Sequence, residues 1–262
     1  MALTAEQRAR TLERFERHRR AWDENPALRT LYADWYARVA AALPPASLGP
    51  RLEIGSGPGF ARAFIPDLVL SDLVRAPWHD REVSAEALPF AEGSLGALVL
   101  FDVLHHLPSP RRFFEEAVRV LRPGGRIVMC EPYMSGPSYT IYKLFHEEPI
   151  ALGGDPLADQ NGTGADADAD ATVGRDPFDS NQAIPTLLFG RARAAFEAAF
   201  PALSILSVDH LAGLSYPASG GFSRRPFLPL PAWSMLHRIE ARLPKAVTRW
   251  LAFRMLVTIE RR

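Results

Sequence analysis

Residues 51–60, Arg-Leu-Glu-Ile-Gly-Ser-Gly-Pro-Gly-Phe, constrain this chain more than any other stretch. A short apolar strand, Leu52 to Ile54, carries Glu53 near its end and runs straight into Gly55, Gly57 and Gly59. Glycine tolerates positive φ and has no Cβ, so such a turn reverses sharply and lets a ligand lie on bare backbone. A helix following over Pro58–Phe64 would direct its positive end and unpaired N–H groups at that ligand. The expected outcome is a nucleotide-type pocket at the carboxyl edge of a parallel sheet.

Neighbouring residues narrow the nucleotide. The dinucleotide fingerprint needs a third glycine where this chain has Phe60, which argues against a nicotinamide-dependent oxidoreductase. No Gly-Lys-Ser/Thr follows, so a phosphate loop is excluded as well. Leu68 to Ser71 reads as the next strand, ending in Asp72. A carboxylate there is placed to accept hydrogen bonds from both ribose hydroxyls; the plainer role is a turn cap. Pro77 leaves little room for a helix over 73–80, so a loop carrying Trp78 should cover that flank.

Formal charge is zero, with 30 basic and 30 acidic residues, which disfavours nucleic acid as a bulk partner. Arg8, Arg10, Arg14, Arg17, Arg19 and Arg20 interleave with Glu6, Glu13 and Glu16, the pattern of a solvated helix face with paired charges. The lone Cys130 lies in an apolar run and reads as a buried residue of a reducing compartment. No membrane-spanning run or secretory leader is visible, so a soluble, cytoplasmic protein is expected. At 47% hydrophobic content, 262 residues suffice for one large core with insertions.

Taken in order, five stretches carry a family likeness. Leu-Glu-Ile-Gly-Ser-Gly-Pro-Gly (52–59) resembles the first motif of class I S-adenosylmethionine-dependent methyltransferases, specifically the type 11-like small-molecule subgroup. Asp72 follows one unit later. Ser84-Ala85-Glu86-Ala87-Leu88-Pro89-Phe90 is similar to the family's Asp-Ala-Glu-x-Leu-Pro-Phe, with Ser84 replacing the aspartate. Val103-Leu104-His105-His106-Leu107 and Arg119-Val120-Leu121-Arg122-Pro123-Gly124-Gly125-Arg126 match further markers. The likeness covers residues 51–132, about a third of the chain.

The resemblance implies S-adenosylmethionine as cofactor. It places Glu53, Gly55, Ser56, Gly57 and Gly59 at the methionine end and Asp72 with Leu73 at the ribose. Ser84, Ala85 and Glu86 fall at the adenine, and Phe101 also lines the cofactor. A serine hydroxyl gives adenine a weaker, uncharged partner than the usual aspartate. The Asn/Asp-Pro-Pro-Tyr motif of amino-group methylation on DNA and protein is absent. His105 or His106 is a candidate general base, with Tyr133 beside them, against the alternative that both histidines merely pack. No metal is implied.

The fold expected is α/β: a Rossmann-like, doubly wound seven-stranded sheet with an antiparallel last strand, N-terminal helices and substrate-side insertions. A single domain, 1–262, divides into an N-terminal helical cap (1–45), a cofactor-binding half (46–132), a lid insertion (133–185) and a C-terminal half (186–262) with an insertion at 211–250. Leu31, Trp35 and Val39 mark a cap helix laid across the cofactor mouth. Within the lid, Tyr139, Tyr142 and His146 are pocket candidates, and the acidic stretch 155–179 reads as a mobile loop. Its Asp166-x-Asp168-x-Asp170 run lacks the glycine and closing glutamate of a calcium loop. Later elements expected are a helix over Thr186–Phe200, strands over Leu203–Val208 and Phe253–Ile259, and an amphipathic helix over Trp233–Leu243. The acceptor expected is a small, partly apolar molecule. Alternatives are an RNA or lipid acceptor, peripheral membrane contact through the 211–250 insertion, or an inactive cofactor-binding partner. Oligomeric state is left open.

Overall fold

A computed structural model describes residues 3–145, 149–158 and 180–262 of the chain. His146, the Asp166–Asp170 run and all of 159–179 lie outside the described residues.

Seven strands form one sheet in the order β3-β2-β1-β4-β5-β7-β6. They are β1 (Arg51–Ile54), β2 (Leu68–Asp72), β3 (Arg81–Glu82), β4 (Leu95–Phe101), β5 (Leu121–Pro132), β6 (Leu203–Leu211) and β7 (Arg254–Arg261). β1 to β5 pair in parallel, whereas β7 runs antiparallel to both β5 and β6. The strand order reverses between β1 and β4, and ligands of open α/β sheets bind in the crevice outside such a switch point. β4 is buried along its whole length, as a strand covered on both faces must be.

The helices are α1 (Ala5–Glu24), α2 (Pro26–Ala42), α3 (Pro110–Val120), α4 (Gly136–Phe145), α5 (Ile184–Leu188), α6 (Arg193–Ala199), α7 (Ser215–Ala218), α8 (Leu230–Glu240) and α9 (Lys245–Leu251). Thr4 and Gln7 close a reciprocal capping box at the start of α1. Asn25 caps α2, with Pro26 following. The side chains of Leu28, Leu31, Trp35 and Val39 bury the inner face of α2 against Ala97, Val99 and Val128 of the sheet. The opposite face of the sheet packs on α3, α5 and α6 through Phe113, Phe114, Ile184, Leu188 and Phe196.

Several boundaries differ from the sequence reading. Pro58–Phe64 is not a helix: Gly59 is left-handed (φ 79°), and only a 3-10 turn, Phe60–Ala63, forms before Pro66. The positive helix end expected behind the glycine turn is therefore missing. β3 is only two residues long, Arg81–Glu82. The Thr186–Phe200 helix is two pieces, α5 and α6, broken at Gly190, where a Cβ would stand 2.5 Å from the Thr186 carbonyl oxygen. β6 extends to Leu211, β7 runs over 254–261, and the helix at Trp233 is shifted to 230–240. No described helix is long and apolar enough to cross a membrane.

Candidate active site

The glycine turn is held from both ends. Gly57 N–H donates to Asp72 Oδ2 at 2.9 Å, and Val74 N–H donates to Asp72 Oδ1 at 3.1 Å. Ser56 N–H donates to the Ser71 carbonyl, while Ser71 N–H donates back to Ser56 Oγ. These bonds tie the turn to the end of β2, which explains why an acid and a serine close that strand. Asp72 is buried, and burial lifts its pKa while the backbone N–H groups of Val74 and Gly57 oppose that rise. Gly55, Gly57 and Gly59 all have positive φ. A Cβ at Gly55 would lie 2.5 Å from Val103 Cγ2, and one at Gly59 would lie 2.6 Å from Trp78 Cδ1.

Helix α1 lies over this turn, whereas Leu31, Trp35 and Val39 of α2, the residues expected across the cofactor mouth, are buried against the sheet. Arg19 donates to the Pro58 carbonyl at 2.9 Å and sits 4.4 Å above the Trp78 ring. Trp78 Nε1 donates to the Gly57 carbonyl at 2.8 Å. His79 Nδ1 accepts from Ala76 N–H, so Nε2 carries the hydrogen that bonds the same carbonyl at 2.7 Å. Phe15 packs edge-on against His79, and Trp22 stacks on Phe60. Arg10 and Arg17 pair along α1 with Glu6 and Glu13, as their spacing predicts. The sequence reading missed His79, Phe15 and the reach of Arg19 onto the turn. A charged groove lined by Arg62, Asp67, Arg75 and Arg81 lies apart from this site, on the β2–β3 flank.

Beyond the turn, Glu53 is buried, its Oε2 has no hydrogen-bond partner, and burial raises its pKa to about 7. Leu73 is 40% exposed next to Asp72. Ser84 forms a tight bridge with Ala87, Ala85 is buried, and Glu86 accepts from Ser109 N–H at the start of α3. Phe101, at the tip of β4, is buried among Tyr32, Trp35 and Tyr36 of α2.

The residue after Phe101 begins a second buried network. Asp102 is left-handed (φ 58°), a strained conformation for a residue other than glycine and one that recurs at functional sites. Its carboxylate pairs with Arg254 at the start of β7, which is 5% exposed and also donates to Tyr216 Oη at 2.7 Å. Burial works against the charge on Arg254, but Asp102 and the Tyr216 hydroxyl outweigh it and hold its pKa above the usual value. On the other side, His105 Nδ1 lies 2.7 Å from Glu131 Oε2, while Glu131 Oε1 accepts from Val103 and Leu104 N–H. The His106 ring lies 4.2 Å from that of His105. Asp102, His105 and Glu131 each bring a ligand-type atom within 4.8 Å of one another. Their oxygens are engaged by Arg254, His105 and backbone N–H groups, so the cluster reads as an ion-pair and hydrogen-bond network. Tyr133 is directed toward β6, where its ring meets His210 edge-on. Tyr142 on α4 reaches the Phe253 carbonyl, while Tyr139 lies near Lys143.

Burial also lifts Glu131 to about 7, against the backbone N–H groups of Leu104 and Val103. Between the ordinary carboxylate value of 4.5 and about 7, the folded chain holds protons at Glu53 and Glu131 that the unfolded chain has released. Stability from these groups is full below that window and is lost as pH rises through it. Melting temperature should therefore fall between pH 5 and pH 8, and the double substitution Glu53→Gln/Glu131→Gln should flatten that fall by about 5 °C or more. A slope unchanged by the substitutions contradicts the burial argument.

Comparison with known proteins agrees with this geometry. The family model described as a methyltransferase domain matches residues 52–129. A relative from Mycobacterium sp. (strain JLS), described as a methyltransferase, is 35% identical over 100 residues, covering 33% of this chain and 40% of its own. A demethylmenaquinone methyltransferase from Clavibacter sepedonicus is 45% identical over 47 residues, 18% of this chain and 19% of its own. The chain thus spans about two-fifths of the length of the first of these curated relatives. Among solved structures, a chain from the complex between the Haloferax volcanii Trm112 methyltransferase activator and a methyltransferase superposes with a TM-score of 0.52 at 16% identity. That alignment covers 99% of this chain and 98% of the other, and it shows a shared fold. The matched segment runs from β1 into β5, taking in the glycine turn, Asp72 and the β4 tip, and is similar to class I methyltransferase domains, a family whose cofactor is S-adenosylmethionine.

Proposed function

We propose that the protein transfers the sulfonium methyl of S-adenosylmethionine to a small, partly apolar acceptor, at oxygen, nitrogen or carbon. The observation that carries this reading is the juxtaposition at the tip of β4. The glycine turn lies on one side of it. On the other, Tyr32, Trp35 and Tyr216 surround the Arg254–Asp102 pair. Such a wall suits an apolar molecule with one polar or anionic handle.

In this reading Glu53, Gly55, Ser56, Gly57 and Gly59 take the methionine end. Asp72 accepts two protein hydrogen bonds, and a carboxylate has about four lone-pair sites, so capacity remains for ribose hydroxyls. Leu73 flanks the ribose; Ser84, Ala85 and Glu86 flank the adenine; Phe101 supports the centre. The donor is intrinsically reactive, so in-line positioning away from water supplies much of the rate.

Where the acceptor is a hydroxyl or an acidic carbon, His105 receives its proton. Above about pH 7 Glu131 is ionised, accepts from Nδ1–H and so leaves Nε2 as the basic nitrogen. In Glu131→Gln the amide N–H donates to Nδ1 instead, which puts the hydrogen on Nε2 and removes the base. Labelled methyl transfer to a panel of small acceptors tests the assignment. Glu131→Gln should lower kcat by about 10²-fold or more, with S-adenosylhomocysteine affinity unchanged. Full turnover in both Glu131→Gln and His105→Ala would remove the base from the mechanism. Absence of product with any acceptor, alongside intact cofactor binding, would favour an inactive partner instead.

A further inference from the structure

Residues 222–250 hold six basic side chains and one acidic one, in a chain whose charges balance only as a whole. The one acid, Glu240, turns inward and accepts from Ser215 N–H. On α8, Trp233 anchors the inner face with no exposed surface, its Nε1 donating to the Ser215 carbonyl. Outward, Met235, Arg238 and Ile239 fall at the i, i+3, i+4 spacing of one face of α8, and Arg242 follows in the turn just past its end. Met235 and Ile239 are 62% and 53% exposed. On α9, Trp250 is 64% exposed, whereas the other four tryptophans are buried or partly buried. Lys245 and Arg249 stand one turn apart on the same short helix. Among the described residues no carboxylate pairs with Arg238, Arg242, Lys245 or Arg249. Leu144, 68% exposed, extends the patch on the adjoining α4.

We propose that this face of α8 and α9 docks the protein on an anionic lipid bilayer. Exposed apolar side chains and cations occur together on both helices, so Met235, Ile239 and Trp250 can enter the acyl boundary while arginine and lysine heads stay among the phosphates. Each basic residue held near an anionic surface adds attraction, and tryptophan favours the interfacial layer. A second copy is a poor occupant, because face-to-face contact would set like charges against each other. The surface also lies close to the site: α9 ends at Leu251, three residues before Arg254, which pairs with Asp102 at the β4 tip. A docked molecule therefore holds that end of the sheet near the lipid. The inference is independent of methyl transfer, since vesicle binding is read without cofactor.

Flotation with vesicles of equimolar phosphatidylcholine and phosphatidylglycerol, against phosphatidylcholine alone, tests it. The protein should float with the mixed vesicles, be released by high salt, and show a blue-shifted emission that Trp250→Phe removes. Trp250→Glu and Arg238→Glu/Arg242→Glu should each lower vesicle affinity about 10-fold or more without changing melting temperature, because these side chains are exposed. Failure to float, equal affinity for neutral vesicles, or unaltered affinity in both variants overturns the proposal. So does a dimer in sedimentation that Trp250→Glu dissociates in a protein that does not bind vesicles.

Discussion

Gly55→Ala should abolish measurable binding of S-adenosylhomocysteine and lower stability by about 2–4 kcal/mol. Two costs combine at this position. Gly55 has φ 67°, where any residue with a Cβ is strained by about 1–2 kcal/mol. The new Cβ would also sit 2.5 Å from a methyl of Val103, a buried side chain beside the Glu131-bound backbone. Relief requires either turn or β4 tip to move, and both border the proposed donor position. Gly57 supplies the internal contrast. A Cβ there would meet only Phe15 at 3.7 Å, ordinary contact, so Gly57→Ala carries the backbone strain without the clash. Chemical denaturation and calorimetry on the two variants should rank Gly55→Ala well below Gly57→Ala in both readouts. Equal losses would show that backbone conformation alone matters.

Arg254→Met should destabilise the fold by about 3–5 kcal/mol, because it leaves the Asp102 carboxylate without its ionic partner. It also removes the hydrogen bond that Arg254 donates to the Tyr216 hydroxyl. Adding Asp102→Asn should recover a large part of the loss, since asparagine tolerates the left-handed backbone at 102 and carries no charge. Urea unfolding of the two single variants and the double variant measures the coupling, which should exceed about 1 kcal/mol. Additive losses would mean that Arg254 stabilises the chain mainly through its packing on Trp35 and Tyr216.

The parallel part of the sheet was legible because its signals are local. Glu53, the glycines and Asp72 each occupy a position whose backbone or charge requirement few other residues meet. Arg122-Pro123-Gly124-Gly125 likewise separates α3 from the body of β5. The Phe60–Ala63 turn was misread as a helix because residue type suggested continuation, while Gly59 and Pro66 shortened the available span. Glu131 and Arg254 were missed as site residues, although each is a charge at the end of an apolar strand. Burial of either requires a partner, and that requirement was the available signal. The partners themselves are 26 and 152 residues away in sequence and become neighbours only through the β4-β5-β7 order. Tyr133 follows β5, and its ring turns toward His210 of β6, an orientation that residue type and position in the chain do not reveal.

Calorimetric titration of the purified chain with S-adenosylhomocysteine tests the central claim, that the turn from Gly55 to Gly59 with Asp72 is a methyl-donor pocket. The account predicts saturable one-to-one binding, no binding of a nicotinamide dinucleotide, and a loss of about 30-fold or more in Asp72→Ala. Absence of binding to the wild-type chain, or an affinity unchanged by Asp72→Ala, would contradict it.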